Sequence, residues 1–441
     1  MFNLRYIFRL TIAFFSRFKA LILIGICAGI FFFFLLKYFL PLLMQGEIYR
    51  IGLTGRYTVS NLPPSILNMV GDGLTKLDEH YNVEPNLSSS WETPDKGKTW
   101  IFTLKNNLFW QDGKKVTAST ITYQFSDVTT EQPDEKTIFF KLQNPYSAFP
   151  AVVSRPVFRS GLLGTGEWKV TKLLINGSVV ESITLSKKDG SKIVYKFYPT
   201  EERLKLAFEL GEVDEIDGIF DPKPLDAWSK LKISKSVNTG EYVAVFFNTQ
   251  DKNLGEKNLR QALSYAINKS SLGGTRAVSP ISEDSWAYNP QVKPYEYDPV
   301  KAGQMIDDYK KSTKIDQLTL TLSTSPILLP QAEKIAKDWE AVGVKIDLRV
   351  VSAIPSDYQA FLVIFDVPDD PDQYSIWHST QTATNISRYQ NPRIDKLLED
   401  GRSQIDLEER RKTYLDFQRF LVEDSPAAFL YYPTNYTIKR N

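Results

Sequence analysis

Four carboxylates fall within seven residues in the run FDVPDDPDQY, namely Asp366, Asp369, Asp370 and Asp372, enough negative charge to hold a cation. A calcium loop of the EF-hand type does not fit them. A register begun at Asp366 puts Pro368 at the third ligand position and Trp377 at the twelfth, with no glycine at the sixth. An irregular calcium site and a solvated acidic turn both remain open. The stretch GLLGTGEW at 161–168 has the glycine spacing of a phosphate loop, but Glu167 stands where a lysine must neutralise phosphate, so the nucleotide reading fails. His80, His378 and Cys27 are the whole complement of histidine and cysteine, and no G-x-S-x-G or H-E-x-x-H motif is present. The chain reads as non-catalytic, without a cofactor or a metal centre. Paired carboxylates of the glycosidase kind are the one catalytic arrangement that common Asp and Glu leave open.

The elements that position these residues follow from periodicity. Residues 241–268, EYVAVFFNTQDKNLGEKNLRQALSYAIN, give a strand, a short loop and a helix whose Leu259, Ala262, Leu263, Ala266 and Ile267 share one face, with Arg260, Gln261 and Lys269 off it. Leu318, Leu320 and Leu322 alternate along a strand, Ile335, Ala336, Trp339 and Val342 mark a helix closed by Gly343, and 344–350 alternate again. Strand, helix and strand in this order make a βαβ unit with a parallel sheet. Residues 71–120 carry turn signals at Asp72-Gly73, Lys96-Gly97 and Asp112-Gly113 around a strand with Trp100, Phe102 and Leu104 on one side, a small β-rich unit. At the end come two helices, near 391–400 and 407–423, and a strand at 428–432.

With 441 residues there is room for two or three domains. Lys and Arg number 53 against 52 Asp and Glu, so no global field points to nucleic acid. Residues 20–36 are uncharged and apolar, and 17 residues at ~1.5 Å each reach about 26 Å, close to a bilayer core once the helix continues past Lys37. Neither an A-x-A cleavage pattern nor a small residue before Cys27 is present. Arg5, Arg9, Arg17 and Lys19 precede the run, which puts the amino terminus in the cytoplasm and the remainder outside.

Gly73, Leu74, Leu77 and Asp78, then Pro85, Leu87, Ser90 and Trp91, then Phe102, Leu104, Lys105, Trp110, Asp112, Gly113, Thr117 and Ala118 follow the signature of a known family. Together with GEVDEIDG at 211–218, the FFNT…LRQALSYAINK segment and YDPVKA at 297–302, they make the chain resemble the family 5 extracellular solute-binding proteins that serve oligopeptide, dipeptide and nickel ABC importers. The resemblance covers about 46–440. It implies an α/β, two-lobed periplasmic-binding-protein-like fold of type II, with a small extra β-rich subdomain at about 71–155, to which the apolar run adds one N-terminal transmembrane helix. The expected organisation is a cytoplasmic basic segment at 1–19, an anchor at 20–44, lobe I at 46–245, lobe II at 246–427 and a return strand at 428–441. Hinges are expected near 240–247 and 426–430.

The resemblance further implies a ligand between the lobes, a monomer, and an ABC permease in the same membrane as partner. In peptide-binding members, a D-x-x-(D/E)-P turn at the position of the acidic run pairs with the peptide's α-ammonium. Asp366 matches it best, and one extra residue before Asp370-Pro371 gives Asp369 the alternative claim. The strand end 361–364 would carry the peptide backbone by β-augmentation. Ile364, Phe365, Tyr374, Trp377 and Trp286 complete the expected ligand-binding set, Tyr374 and Trp377 being either cleft wall or core. The resemblance leaves a metal complex such as nickel, an oligosaccharide, or a tethered sensor without transport as alternatives.

Overall fold

The computed structural model describes the backbone of residues 4–43 and 48–440, with part of the side chains of the first helix left out. That helix, Leu4–Leu43, includes the stretch Ser16–Leu35, long and apolar enough to cross a membrane, and its described side chains are exposed. The expected boundaries at Met44 and Gly46 lie outside the described residues.

Strand β1 (Ile48–Thr54) opens a seven-stranded sheet that is interrupted at once by the β-rich unit. There β2 (Thr75–Leu77) pairs with β3 (Val83–Pro85), and β4 (Ser88–Glu92), β5 (Thr99–Leu104), β6 (Val128–Glu131) and β7 (Thr137–Leu142) form an antiparallel sheet in the order β4-β5-β7-β6. Trp100, Phe102 and Leu104 are buried in its core, as their alternation requires. Gly73 is held there by close approach: a Cβ would lie 2.3 Å from the Ser154 carbonyl oxygen. Gly73→Ala should therefore lower the urea midpoint at an unchanged slope, by the about 1–3 kcal/mol that overpacking costs.

The chain then returns with β8 (Lys169–Asn176), β9 (Val179–Ser186), β10 (Lys192–Tyr198), β11 (Glu215–Ile219) and β12 (Leu231–Val237). A second sheet takes β13 (Glu241–Phe247), β14 (Thr275–Arg276), β15 (Leu318–Thr324), β16 (Val344–Val350), β17 (Ala360–Asp366) and β18 (Ala427–Tyr432) in the order β14-β18-β13-β17-β15-β16. The last strand, β19 (Thr434–Arg440), goes back to the first sheet, whose order is β12-β19-β11-β1-β10-β9-β8. β15 and β16 are parallel and joined by the helix Leu329–Ala341, the βαβ unit read from the alternation.

The passages between the sheets fall at 238–240 and at Pro433, next to the stretches 240–247 and 426–430 near which hinges were expected, while those stretches are themselves mostly strand. The reason is packing on both faces. β13 is buried from Tyr242 to Phe247 and pairs with β17 along its whole length, and every residue of β18 is buried too, so both are interior strands of the second sheet. Pro433 has no N–H to continue the ladder, and its carbonyl accepts the Asn238 N–H at 2.9 Å, tying the two passages together.

Arg260, Gln261 and Lys269, expected off the apolar face of the helix Lys257–Ala266, are buried as well. Arg260 donates to the carbonyls of Leu254, Gly255, Asp424 and Ser425, and Gln261 to that of Glu423. Lys269 Nζ reaches the carbonyls of Ser264 and Tyr295, and burial, then the nearby Arg276, pull its pKa down to about 7. Hydropathy places long cations outside. Free carbonyls at helix ends and loops bring these three in.

Candidate functional site

β1, β10 and β11 run parallel and deliver their carboxyl ends to the crossing, the position where ligands bind in open α/β sheets. Three polar atoms there, Thr54 Oγ1, Glu241 Oε2 and Asn435 Oδ1, are buried and lack a hydrogen-bond partner among the described residues. Glu241 begins β13 directly opposite Asp366, which ends β17, so two carboxylates face each other across an antiparallel pair. Like charges so placed repel. Burial pushes the Glu241 carboxyl up, the charge of Asp366 adds to this, and a hydrogen bond from Asn238 opposes it. From the other lobe Tyr57 comes close enough that its phenol, raised by burial, is raised further by Glu241.

β17 offers a free edge beside this pair. β15 pairs only with Ala360, Phe361 and Leu362, and among the described residues no strand covers that side of residues 363–366. A cleft of about 1350 Å³ lies between the lobes, lined from the first by Asp72, Lys76, Tyr81 and Arg155 among others and from the second by Asp369, three residues beyond the end of β17. Asp369 is exposed to the cleft but hemmed in from both sides, and this desolvation raises its carboxyl against the pull of Arg155. Burial raises the Tyr81 phenol, and Asp369 and then Asp284 raise it further.

The acidic run thus divides in two. Asp370 is gripped through both carboxylate oxygens by Arg410, and Asp372 accepts from Arg402 Nε at 2.9 Å, so this half is structural. Asp366 and Asp369 remain open to solvent. No group of three or more His, Cys, Asp or Glu suited to a metal ion occurs among the described residues.

Of the aromatic candidates, Phe365 is half-buried and stacks on Tyr242 at 5.7 Å, and Ile364 sits beside it opposite Val243. Trp377 is 1% exposed and stacked on Phe246, a core side chain with no face toward the cleft. Tyr374 is sandwiched between the Arg402 guanidinium, at 4.3 Å, and the His378 ring, at 4.0 Å. The Trp286 ring packs edge-on against Tyr414 below Arg410, and the Trp286 backbone N–H donates to the His80 carbonyl of the β-rich unit at 3.3 Å. A second bridge joins that unit to the second lobe, where Ser147 N–H and Oγ donate to the carbonyls of Arg402 and Gly401 at 2.6 and 3.0 Å.

Glu241, Arg402 and Arg410 escaped the sequence reading. For Glu241 a signal existed: a lone acid opening an otherwise apolar strand. For the arginines, 30 and 40 residues from their aspartates, there was none. Glu167, which rules out a phosphate loop, has a structural partner: Lys187 meets its carboxylate at 2.7 Å and lies 5.0 Å above the neighbouring Trp168 ring.

Residues 82–385 match the profile of the bacterial extracellular solute-binding proteins, family 5 (middle region). The chain is 24% identical to the oligopeptide-binding protein AppA of Bacillus subtilis over 86% of this chain and 84% of that one. It is 25% identical to the probable D,D-dipeptide-binding periplasmic protein DdpA of Escherichia coli over 82% and 81%. Among solved structures, the ABC transporter substrate-binding protein CtaP of Listeria monocytogenes superimposes with a TM-score of 0.75 at 21% identity, covering 90% of this chain and 94% of that one.

Proposed function

The chain belongs to the bacterial extracellular solute-binding proteins, family 5, and from that premise we propose that it is a membrane-tethered receptor that binds short peptides between its lobes and passes them to an ABC permease. The observation that carries this reading is the Glu241–Asp366 pair beside the free edge of β17. A peptide's α-ammonium placed at the pair relieves its repulsion, and its backbone extends the sheet at residues 363–366. Asp369, three residues on, lines the cleft between the lobes and would meet the next peptide groups. Relatives named for oligopeptide and D,D-dipeptide binding support this ligand class. Both cleft walls come from one chain, so a monomer suffices.

Bridging both lobes, the peptide favours the closed arrangement, which the permease then recognises. The apolar helix crosses the membrane from residue 20 onward, with Arg5, Arg9, Arg17 and Lys19 on its cytoplasmic side, keeping the receptor at high effective concentration near its permease.

Calorimetry of the full chain with short peptides in two buffers of different ionisation heat tests the ligand. Saturable binding is expected, with proton release appearing and affinity falling as pH is lowered through the Glu241 pKa of the free protein, because the ammonium favours the ionised carboxylate. Indifference to peptides, with binding of a nickel complex or an oligosaccharide instead, would keep the fold and overturn the ligand.

A further inference from the structure

The end of the seven-stranded sheet opposite the crossing collects cations, and it is the end at which the chain arrives from the apolar helix. β1 begins at Ile48 opposite Lys192 of β10, Lys169 opens β8 opposite Ser186, and the turn from β9 to β10 adds Lys187 and Lys188. On the other flank, Lys439 and Arg440 close β19 against Lys232 and Leu231 of β12. The carboxylates there are largely answered: Glu167 by Lys187 at 2.7 Å, Glu215 by Lys439 at 2.8 Å and Asp214 by Arg50 at 3.1 Å. Asp189 is the exposed negative charge at the turn. Among the described residues, Lys169, Lys188, Lys192 and Lys232 take part in no ion pair.

A groove of about 970 Å³ runs beside the turn, past Lys169, Lys187 and Lys188, to Phe109, a residue 55% exposed. An exposed aromatic next to unpaired lysines matches the boundary between acyl chains and anionic headgroups. The tether brings that boundary within reach, because Leu43 and Ile48 are five Cα steps apart, at most about 18 Å.

We propose that this basic end is a second membrane contact, binding anionic phospholipid headgroups of the leaflet from which the helix emerges and so holding the cleft outward. The proposal rests on reading the helix as an anchor. Seven-residue strands separate the basic end from the crossing by roughly 23 Å, so docking sets the height of the cleft above the bilayer. Each lysine contributes weakly alone, but the tether makes the encounter intramolecular.

The test uses the full chain with Cys27→Ala and Ser191→Cys, labelled with a fluorophore at 191 and reconstituted in discs of phosphatidylcholine with or without phosphatidylglycerol. Lipids with nitroxide headgroups report contact. Quenching several-fold stronger in the anionic discs is expected, lost in Lys169→Gln/Lys188→Gln/Lys192→Gln and lost at about 1 M salt, where screening shortens to ~3 Å. An alkaline wash reports separately on the anchor. A chain that resists the wash but is quenched equally in both lipids keeps the anchor and overturns the surface. One that washes off yet still co-sediments with anionic vesicles through the three lysines loses the anchor and keeps the surface, and one that does neither loses both.

Discussion

Replacing Asp366 by Asn should weaken peptide binding by about 2–5 kcal/mol, roughly 30-fold or more, the range seen when one partner of a desolvated charge pair is removed. Asn keeps the shape of the end of β17, so its ladder with β13 is retained. It also removes the repulsion between Asp366 and Glu241, so the free protein should unfold at the same or a slightly higher denaturant concentration. Loss of binding without loss of stability distinguishes a ligand contact from a folding defect. Acetylated peptides make a second control: the native protein should discriminate strongly against them, and Asp366→Asn should not. Unchanged affinity in the variant would move the ammonium to Asp369, where Asp369→Asn repeats the test.

Arg410→Ala should cost the fold about 3–5 kcal/mol, the effect of leaving one half of a buried ion pair without its partner. Arg410 is buried, binds both carboxylate oxygens of Asp370, donates to the Gly401 carbonyl at 2.9 Å and lies over the rings of Trp286 and Tyr414. Truncation strands the Asp370 charge and opens the aromatic packing around it. Urea unfolding should show the midpoint falling at an unchanged slope. Arg410→Met with Asp370→Asn should recover a large part of the loss, because neither charge is then left alone. If the double variant is as unstable as Arg410→Ala, the rings and not the charge pair account for the cost. Asp370 belongs to the loop that follows Asp366, so the single variant should also lower peptide affinity.

Much of the fold was legible because its signals are local. Alternation over 318–324 and 344–350 around a helical face gave the βαβ unit, and turn signals with Trp100, Phe102 and Leu104 gave the β-rich unit. Most of the quoted family signature describes this architecture and not the ligand: Leu74, Phe102 and Trp110 are core, and Gly73 is there because a carbonyl passes close by. The site was legible only in part. Asp366 and Asp369 stand out as acids in the run, but nothing local separates them from Asp370 and Asp372, which are taken by arginines far along the chain.

By itself, the sequence determined the strand and helix periods, the apolar helix, the balanced charge and the acidic run, since each depends on neighbours a few residues apart. Tertiary structure alone decided four things. It set Glu241 opposite Asp366, gathered lysines from β8, β10 and β12 at one end of a sheet, buried Trp377, and fixed the crossings at 238–240 and Pro433. The physical reason is that these depend on which strands pair and which faces are covered. Such contacts are selected by the free energy of the whole packed chain, and a seven-residue pattern holds no record of its distant partner.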